Sequence, residues 1–203
     1  MSIGLLGRKA GMTQIFAEDG TVVPVSVLVV EPNTVTLVRT PERDGYAAVQ
    51  LGTGTARRLS KPRLGQLRDL PRVRNVREFR VERVDDYRVG QEFRVDEVFA
   101  AGDRVDVTGV SKGKGFAGTV KRHHFRRGPE THGSDSHRQP GSVGAGTTPG
   151  RVYRGLGMAG HLGHDRVTIK KLTVVRTDPE RHLLLVKGSV PGAPNALVMV
   201  RKA

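Results

Sequence analysis

The chain has 203 residues, no cysteine, nine aromatic residues, and 34 Lys/Arg against 20 Asp/Glu for a formal net charge of +14. That balance points to a strongly anionic partner such as nucleic acid, excludes disulfides and thiolate metal sites, and fits a reducing compartment. No run approaches the ~18 apolar residues of a spanning helix, and the opening residues lack a secretory signal's apolar stretch, so neither membrane partner nor export is expected.

The first fifty residues read as strands. Residues 21–30 are β-branched and partly alternating, and Glu18-Asp19-Gly20 before them supplies the Asp-Gly pair that favours a type I′ hairpin turn. Residues 11–16 are therefore expected to pair antiparallel with them. Residues 34–39 and 46–51 are two further strands separated by Pro41-Glu-Arg-Asp-Gly45, which makes a meander. From 56 to 83 the texture changes to ten Lys/Arg, three acids and prolines at 62 and 71, with a helical turn or two expected at 64–70. Short strands follow at 79–81, 93–95 and 103–109, the last entered through a turn at Ala101-Gly102. Residues 166–169, 172–176, 182–187 and 196–200 resume the strand pattern. Strands on both sides of a long strandless insertion predict one β-barrel closed by segments from both ends of the chain.

The insertion is where composition departs from a packed domain. Residues 111–171 hold 13 of the 26 glycines, six of the seven histidines, and 12 Lys/Arg against three acids, Glu130, Asp135 and Asp165. A net +9 with few aliphatic side chains describes a segment that folds against something outside the protein.

Several motif-like matches there do not carry chemistry. Gly113-Lys-Gly115-Phe-Ala-Gly118 and Gly155-Leu-Gly157-Met-Ala-Gly160 fit GxGxxG, yet neither is followed by an amphipathic helix and an acidic ribose ligand. Histidines 123, 124, 132 and 137 lie among positive charges that repel a cation, so no metal is expected. Ser134-Asp-Ser136-His137 holds triad residue types as near neighbours in a Gly-rich segment, which seldom have triad geometry. No catalytic residue and no cofactor are expected. Lys121-Arg-His-His-Phe-Arg-Arg127 is read as phosphate-binding because no compensating acids lie nearby. Arg57, Arg58, Lys61 and Arg63 divide evenly between RNA contact and a solvated face. No helix with basic spacing suits a DNA groove, and the few aromatics speak against a single-strand stacking platform. An irregular basic arm suits the crevices of a large folded RNA.

The residues also carry a resemblance. The opening Ile3-Gly-Leu-Leu-Gly-Arg-Lys-Ala-Gly-Met-Thr-Gln-Ile-Phe16, the string Asp106-Val-Thr-Gly-Val-Ser-Lys-Gly-Lys-Gly-Phe-Ala-Gly118, and Thr131-His-Gly-Ser134 with His137-Arg138, Pro140-Gly-Ser-Val-Gly144 and Thr148-Pro-Gly150 resemble the family of the third protein of the bacterial large ribosomal subunit. Met158-Ala-Gly160, Arg166-Val-Thr168 and Leu183-Leu-Leu-Val-Lys-Gly-Ser-Val-Pro-Gly192 continue the match across essentially the whole chain.

The resemblance implies a mainly β fold: a translation-factor-like β-barrel with a small α+β insert and a long extended basic loop. The expected division is barrel at 1–55, 84–112 and 164–203, a basic, α+β insert at 56–83, and an RNA-threading loop at 113–163. It further implies a ribosome-bound, cytoplasmic constituent of the large subunit that binds large-subunit ribosomal RNA, lies beside other ribosomal proteins, supports early assembly, and extends its loop toward the peptidyl transferase centre. No small-molecule substrate is implied. Lys112, Lys114, Lys121, Arg122, Arg126 and Arg127 are expected to neutralise phosphates along the outgoing arm, Arg138 near the tip, and Arg151, Arg154, Arg166, Lys170 and Lys171 on the return. Gln139, Gly144, Ala145, Gly146 and Thr147 fall at the tip, near the catalytic RNA. Some relatives carry a methylated glutamine between the tip's two glycine motifs, where this chain has Ala145-Gly146-Thr147, so that modification is not expected in the loop. About 25 residues outward at ~3.3 Å each bound the reach near ~80 Å. The alternative readings are an RNA-processing or translation-factor-like enzyme with a basic arm, for which no nucleotide site or acid–base pair is evident, and a DNA-packaging protein, which would also bind duplex DNA.

Overall fold

A computed structural model describes residues 3–203 and is mainly β. In chain order its elements are β1 (Gly4–Phe16), β2 (Val22–Val29), β3 (Asn33–Arg39), α1 (Pro41–Asp44), β4 (Ala48–Thr55), α2 (Lys61–Gln66), β5 (Val73–Arg80) and β6 (Glu92–Phe93). Then come α3 (Val95–Val98), β7 (Arg104–Val110), β8 (Phe116–Ala117), α4 (Thr119–His123), β9 (Gly160–His161), β10 (Arg166–Asp178), β11 (Leu183–Lys187) and β12 (Leu197–Lys202).

Six strands pair in the cyclic order β1-β12-β7-β10-β11-β2, and β2 returns to β1, which closes the sheet as a barrel. Every pairing is antiparallel, and closure leaves no edge open to another chain. The β1–β2 hairpin pairs 11–16 with the strand expected opposite it. Its turn is wider than type I′. Ala17 N–H donates to the Thr21 carbonyl at 3.0 Å and Gly20 N–H to the Ala17 carbonyl at 2.9 Å, with Gly20 left-handed at φ 79°. This is the three-residue loop that ends in a glycine bulge. A type I′ turn needs Asp19 at positive φ as well. Instead the Asp19 carboxylate accepts hydrogen bonds from Thr21 N–H at 2.9 Å and Thr21 Oγ1–H at 2.8 Å, which hold the wider loop.

A second, four-stranded sheet has the order β5-β4-β3-β6. The strands at 34–39 and 46–51 are therefore present and antiparallel, but they lie in this sheet and not in the barrel segment expected at 1–55. Alternation reveals that a strand has a buried face; it does not reveal which sheet that face joins. Asn33 marks the departure. Its Oδ1 accepts from Leu6 N–H at 2.9 Å and its Nδ2 donates to the carbonyls of Leu6 at 3.1 Å and Glu31 at 2.7 Å, so a buried side chain satisfies the backbone where the chain leaves the barrel.

Smaller shifts have local causes. The expected helix at 64–70 begins earlier, at Lys61, because Pro62 suits a helix's first turn. The strand expected at 79–81 is the end of the longer β5. The strand expected at 93–95 stops at Phe93, where the Glu97 carboxylate accepts from Arg94 N–H at 3.1 Å and starts α3. The strands expected at 166–169 and 172–176 are one strand, β10, broken by a bulge between Ile169 and Leu172 in which Lys171 is left-handed at φ 57°.

One continuous core serves both sheets. Leu5, Leu6, Val105, Val107, Val198 and Val200 from the barrel are buried together with Val35, Val49, Leu51 and Phe79 from the second sheet and with Phe99. Each such side chain contributes about 1.5–3 kcal/mol by leaving water. The chain divides into two compact units: one formed by residues up to 111 together with 166–203, the other by 112–165. The second departs and returns at neighbouring strand ends, since Val110 pairs with Arg166.

Candidate nucleic-acid interface

The 112–165 unit has nine Lys/Arg and three acids, and only Ala117 and Thr119 are buried in it. It is not strandless. Lys114 N–H donates to the Leu162 carbonyl at 2.8 Å, Leu162 N–H to the Gly115 carbonyl at 3.0 Å, and Phe116 and Ala117 pair with His161 and Gly160. These two-residue pairings are too short to produce a legible alternation, which is why the expectation missed them. The helix α4 follows. Lys121, Arg122 and His123 occupy its last turn, where positive charge suits the carbonyl end, and His124 ends it at φ 60°.

The expected cations are not all alike. Lys112, Lys114, Lys121, Arg126, Arg138, Arg151 and Arg154 are exposed. Arg127 is exposed too, but its Nη1 pairs with Glu130 Oε1 at 2.9 Å, an interaction of the kind worth ~0–1 kcal/mol and easily exchanged for a phosphate. Arg122 differs in kind. Its Nη1 donates to the Met158 carbonyl at 2.8 Å, and His123 Nε2 lies 2.9 Å from the same oxygen. The guanidinium lies so close to the Gly160 α-carbon that a side chain there would overlap it. Arg122 thus ties the outgoing and returning segments together. Gln139, Gly144, Ala145, Gly146 and Thr147 are all exposed, and the Ser142 hydroxyl bridges to the Gly144 carbonyl at 3.2 Å.

His123, His137 and Ser142 of this unit make protein contacts. His137 Nδ1 lies 2.9 Å from the Pro129 carbonyl, so this nitrogen faces a backbone oxygen where a Ser-His-Asp triad places a carboxylate. Among the described residues no three His, Asp or Glu side chains gather as a metal site would require. No helix among them is long and apolar enough to cross a membrane.

In the first unit, Arg166 and Lys170 of β10 line a cleft of about 550 Å³ together with Arg80 of β5 and Arg201 of β12. Arg80 and Arg201 were missed from sequence. Nothing in a local pattern says that the ends of three strands distant along the chain meet at one cleft; only the barrel's register does. Thr108 and Thr168, their hydroxyls 2.8 Å apart, lie on the cleft wall. Lys171 is exposed, and its N–H is used by Asp106 Oδ1 at 2.9 Å. At the cleft's edge Glu78 accepts from Arg39 Nε at 2.9 Å, Tyr46 Oη at 2.9 Å and Gln50 Nε2 at 3.1 Å. Burial works to raise its pKa, and these three hydrogen bonds outweigh burial, so the carboxyl sits below its ordinary value. Arg57, Arg58, Lys61 and Arg63 form an exposed face on and before α2.

The exposed cations of residues 112–165 and the arginines and lysine that line the cleft of the first unit are what a nucleic-acid-binding protein presents. Comparison with known proteins gives the family. The family model for ribosomal protein L3 matches residues 77–183. Large ribosomal subunit protein uL3 of Alkalilimnicola ehrlichii is 56% identical over 210 residues, covering 100% of this chain and 96% of that protein. The proteins of the same name from Herpetosiphon aurantiacus and Trichormus variabilis are 55% and 53% identical over 204 residues, each covering 98% of this chain and 96% of the relative. The chain belongs to the ribosomal protein L3 family, as the resemblance in its motifs implied, and is a structural, non-enzymatic component of the large ribosomal subunit. The enzyme alternative is thereby set aside.

Proposed function

We propose that the chain binds large-subunit ribosomal RNA through two cationic surfaces, supports early assembly of the subunit in the cytoplasm beside neighbouring ribosomal proteins, and directs residues 113–163 toward the peptidyl transferase centre. The barrel, of the translation-factor-like kind the resemblance implies, anchors on the RNA surface with the 56–83 insert. Arg166 and Lys170, joined by Arg80 and Arg201, meet phosphates at the cleft, while Lys112, Lys114, Lys121, Arg126, Arg127, Arg151 and Arg154 do so along the arm. The tip acts by position. Its single formal charge, on Arg138 within 136–150, makes neutralisation a minor task there, and its bulk biases the shape of nearby RNA.

The observation that carries this reading is the exposure of eight of the nine Lys/Arg side chains on a unit with two buried residues. Such charge is not used to hold the protein together, and it repels itself until a polyanion arrives. Hydroxyl-radical footprinting of large-subunit RNA tests it. Two separate protected regions are expected, one of which disappears when residues 113–163 are replaced by a short Gly/Ser turn. An unchanged footprint after that replacement would refute the arm's role.

A further inference from the structure

We propose that the 112–165 unit contains a receptacle for one unstacked RNA base, an inference that rests on reading this unit as an RNA-binding arm. A concavity of about 390 Å³ is walled by Phe125, Pro140, Val143, Leu156 and Met158, with Arg138 as its cation. Val143, Leu156 and Met158 are 41–45% exposed, although this unit has almost no buried interior for which apolar residues would otherwise be needed.

The chemistry of the walls selects the occupant. A phosphate placed against them would lose water and gain one partner, which is unfavourable. The unit as a whole, with nine Lys/Arg against three acids, nevertheless favours a polyanion, and a protein partner would have to bring an acidic surface with it. The part of a polynucleotide that suits apolar walls is the face of a base, which stacks on aromatic rings and guanidinium planes when it leaves its own helix. Phe125 supplies the ring and Arg138 the plane. One side of the wall is braced within the protein: the Met158 carbonyl is held by Arg122 and His123, and the Phe125 ring lies against His123 with centroids 5.8 Å apart. Preorganisation of this kind lowers the cost of capture.

The test uses assembled large subunits carrying p-benzoylphenylalanine in place of Phe125, Val143 or, as a control elsewhere on the arm, Tyr153. Photolysis from positions 125 and 143 is expected to crosslink one and the same nucleotide through its base. Crosslinks from these positions to a protein, to many scattered nucleotides, or to nothing while position 153 still reaches RNA would overturn the receptacle and leave the RNA-binding arm standing. Absence of RNA crosslinks from all three would overturn the arm itself. Should the substituted chains not enter subunits, ultraviolet irradiation of unsubstituted subunits decides: a nucleotide adduct on the peptide containing Phe125 is expected, and its absence from an otherwise adducted arm contradicts the proposal.

Discussion

Arg122 Nη1 donates to the main-chain carbonyl of Met158 at 2.8 Å, joining positions 36 residues apart in a unit that has almost no core. In such a unit a charged hydrogen bond takes the place that apolar packing has elsewhere. Arg122→Ala is therefore expected to speed amide exchange across 156–162 about fivefold, roughly 1 kcal/mol of local opening, in the RNA-free protein. Arg126→Ala, which removes an exposed cation, leaves those rates unchanged. Equal exchange in the two variants would show that Arg122 is one more solvent-facing charge.

Tip and arm separate by substitution. Gly146 has an ordinary φ and nothing within 4 Å of where a Cβ would stand, so Gly146→Val leaves the chain itself undisturbed. Any effect it has reports on what surrounds the tip. Overall RNA affinity is expected to change less than about twofold, while chemical probing of the catalytic-centre RNA, or sensitivity to drugs acting there, changes. Arg126→Ala with Arg127→Ala is expected to do the reverse, lowering affinity about tenfold with normal probing of the assembled centre. Unaltered probing with Gly146→Val would remove the tip from the centre's neighbourhood.

Glu78 gives the barrel unit an acid limit. Burial opposes its charge, but Arg39, Tyr46 and Gln50 win and depress its pKa, and Asp103 is lowered by the hydrogen bond from Lys202. A carboxyl whose folded pKa lies below its unfolded one contributes stability that is complete above the unfolded value and is lost as pH falls through the folded one. The unfolding midpoint is thus expected to be level above the ordinary carboxylate range and to drop as pH falls through that range and below it. Glu78→Gln costs about 1–2 kcal/mol at neutral pH and shrinks the acid drop. A variant with the same acid profile as the parent would mean that Glu78 is not depressed.

Asn33 is the buried link between the barrel and the second sheet. Asn33→Leu keeps the branching of the side chain, adds bulk at a buried site and strands the backbone groups of Leu6, so it is expected to lower stability by about 2 kcal/mol or more in chemical denaturation. A loss below about 0.5 kcal/mol would show that water replaces the side chain there.

Much of this was legible beforehand because the signals are local. The β1–β2 hairpin follows from alternation around Glu18-Asp19-Gly20, and the separate unit at 112–165 follows from the change to glycine and positive charge between 111 and 171. What stayed hidden depends on distant pairing. Residues 33–39 and 48–55 alternate as barrel strands would, and only their hydrogen bonds to each other, to β5 and to β6 place them in another sheet. Arg80 and Arg201 belong with Arg166 and Lys170 for the same reason. Arg122 looks in sequence like every other cation of its run. The backbone carbonyl it holds carries no signature in the side-chain alphabet.

The salt dependence of binding to a large-subunit RNA fragment tests the role of the arm most directly. Neutralisation of ~6–10 phosphates predicts that affinity falls by about 10³–10⁵ between ~50 and ~200 mM salt. Replacement of 113–163 by a short Gly/Ser turn, which leaves the barrel folded because closing a surface excursion changes its entropy little, should flatten that slope substantially. A shallow slope for the whole chain, or the same slope without the arm, would contradict it.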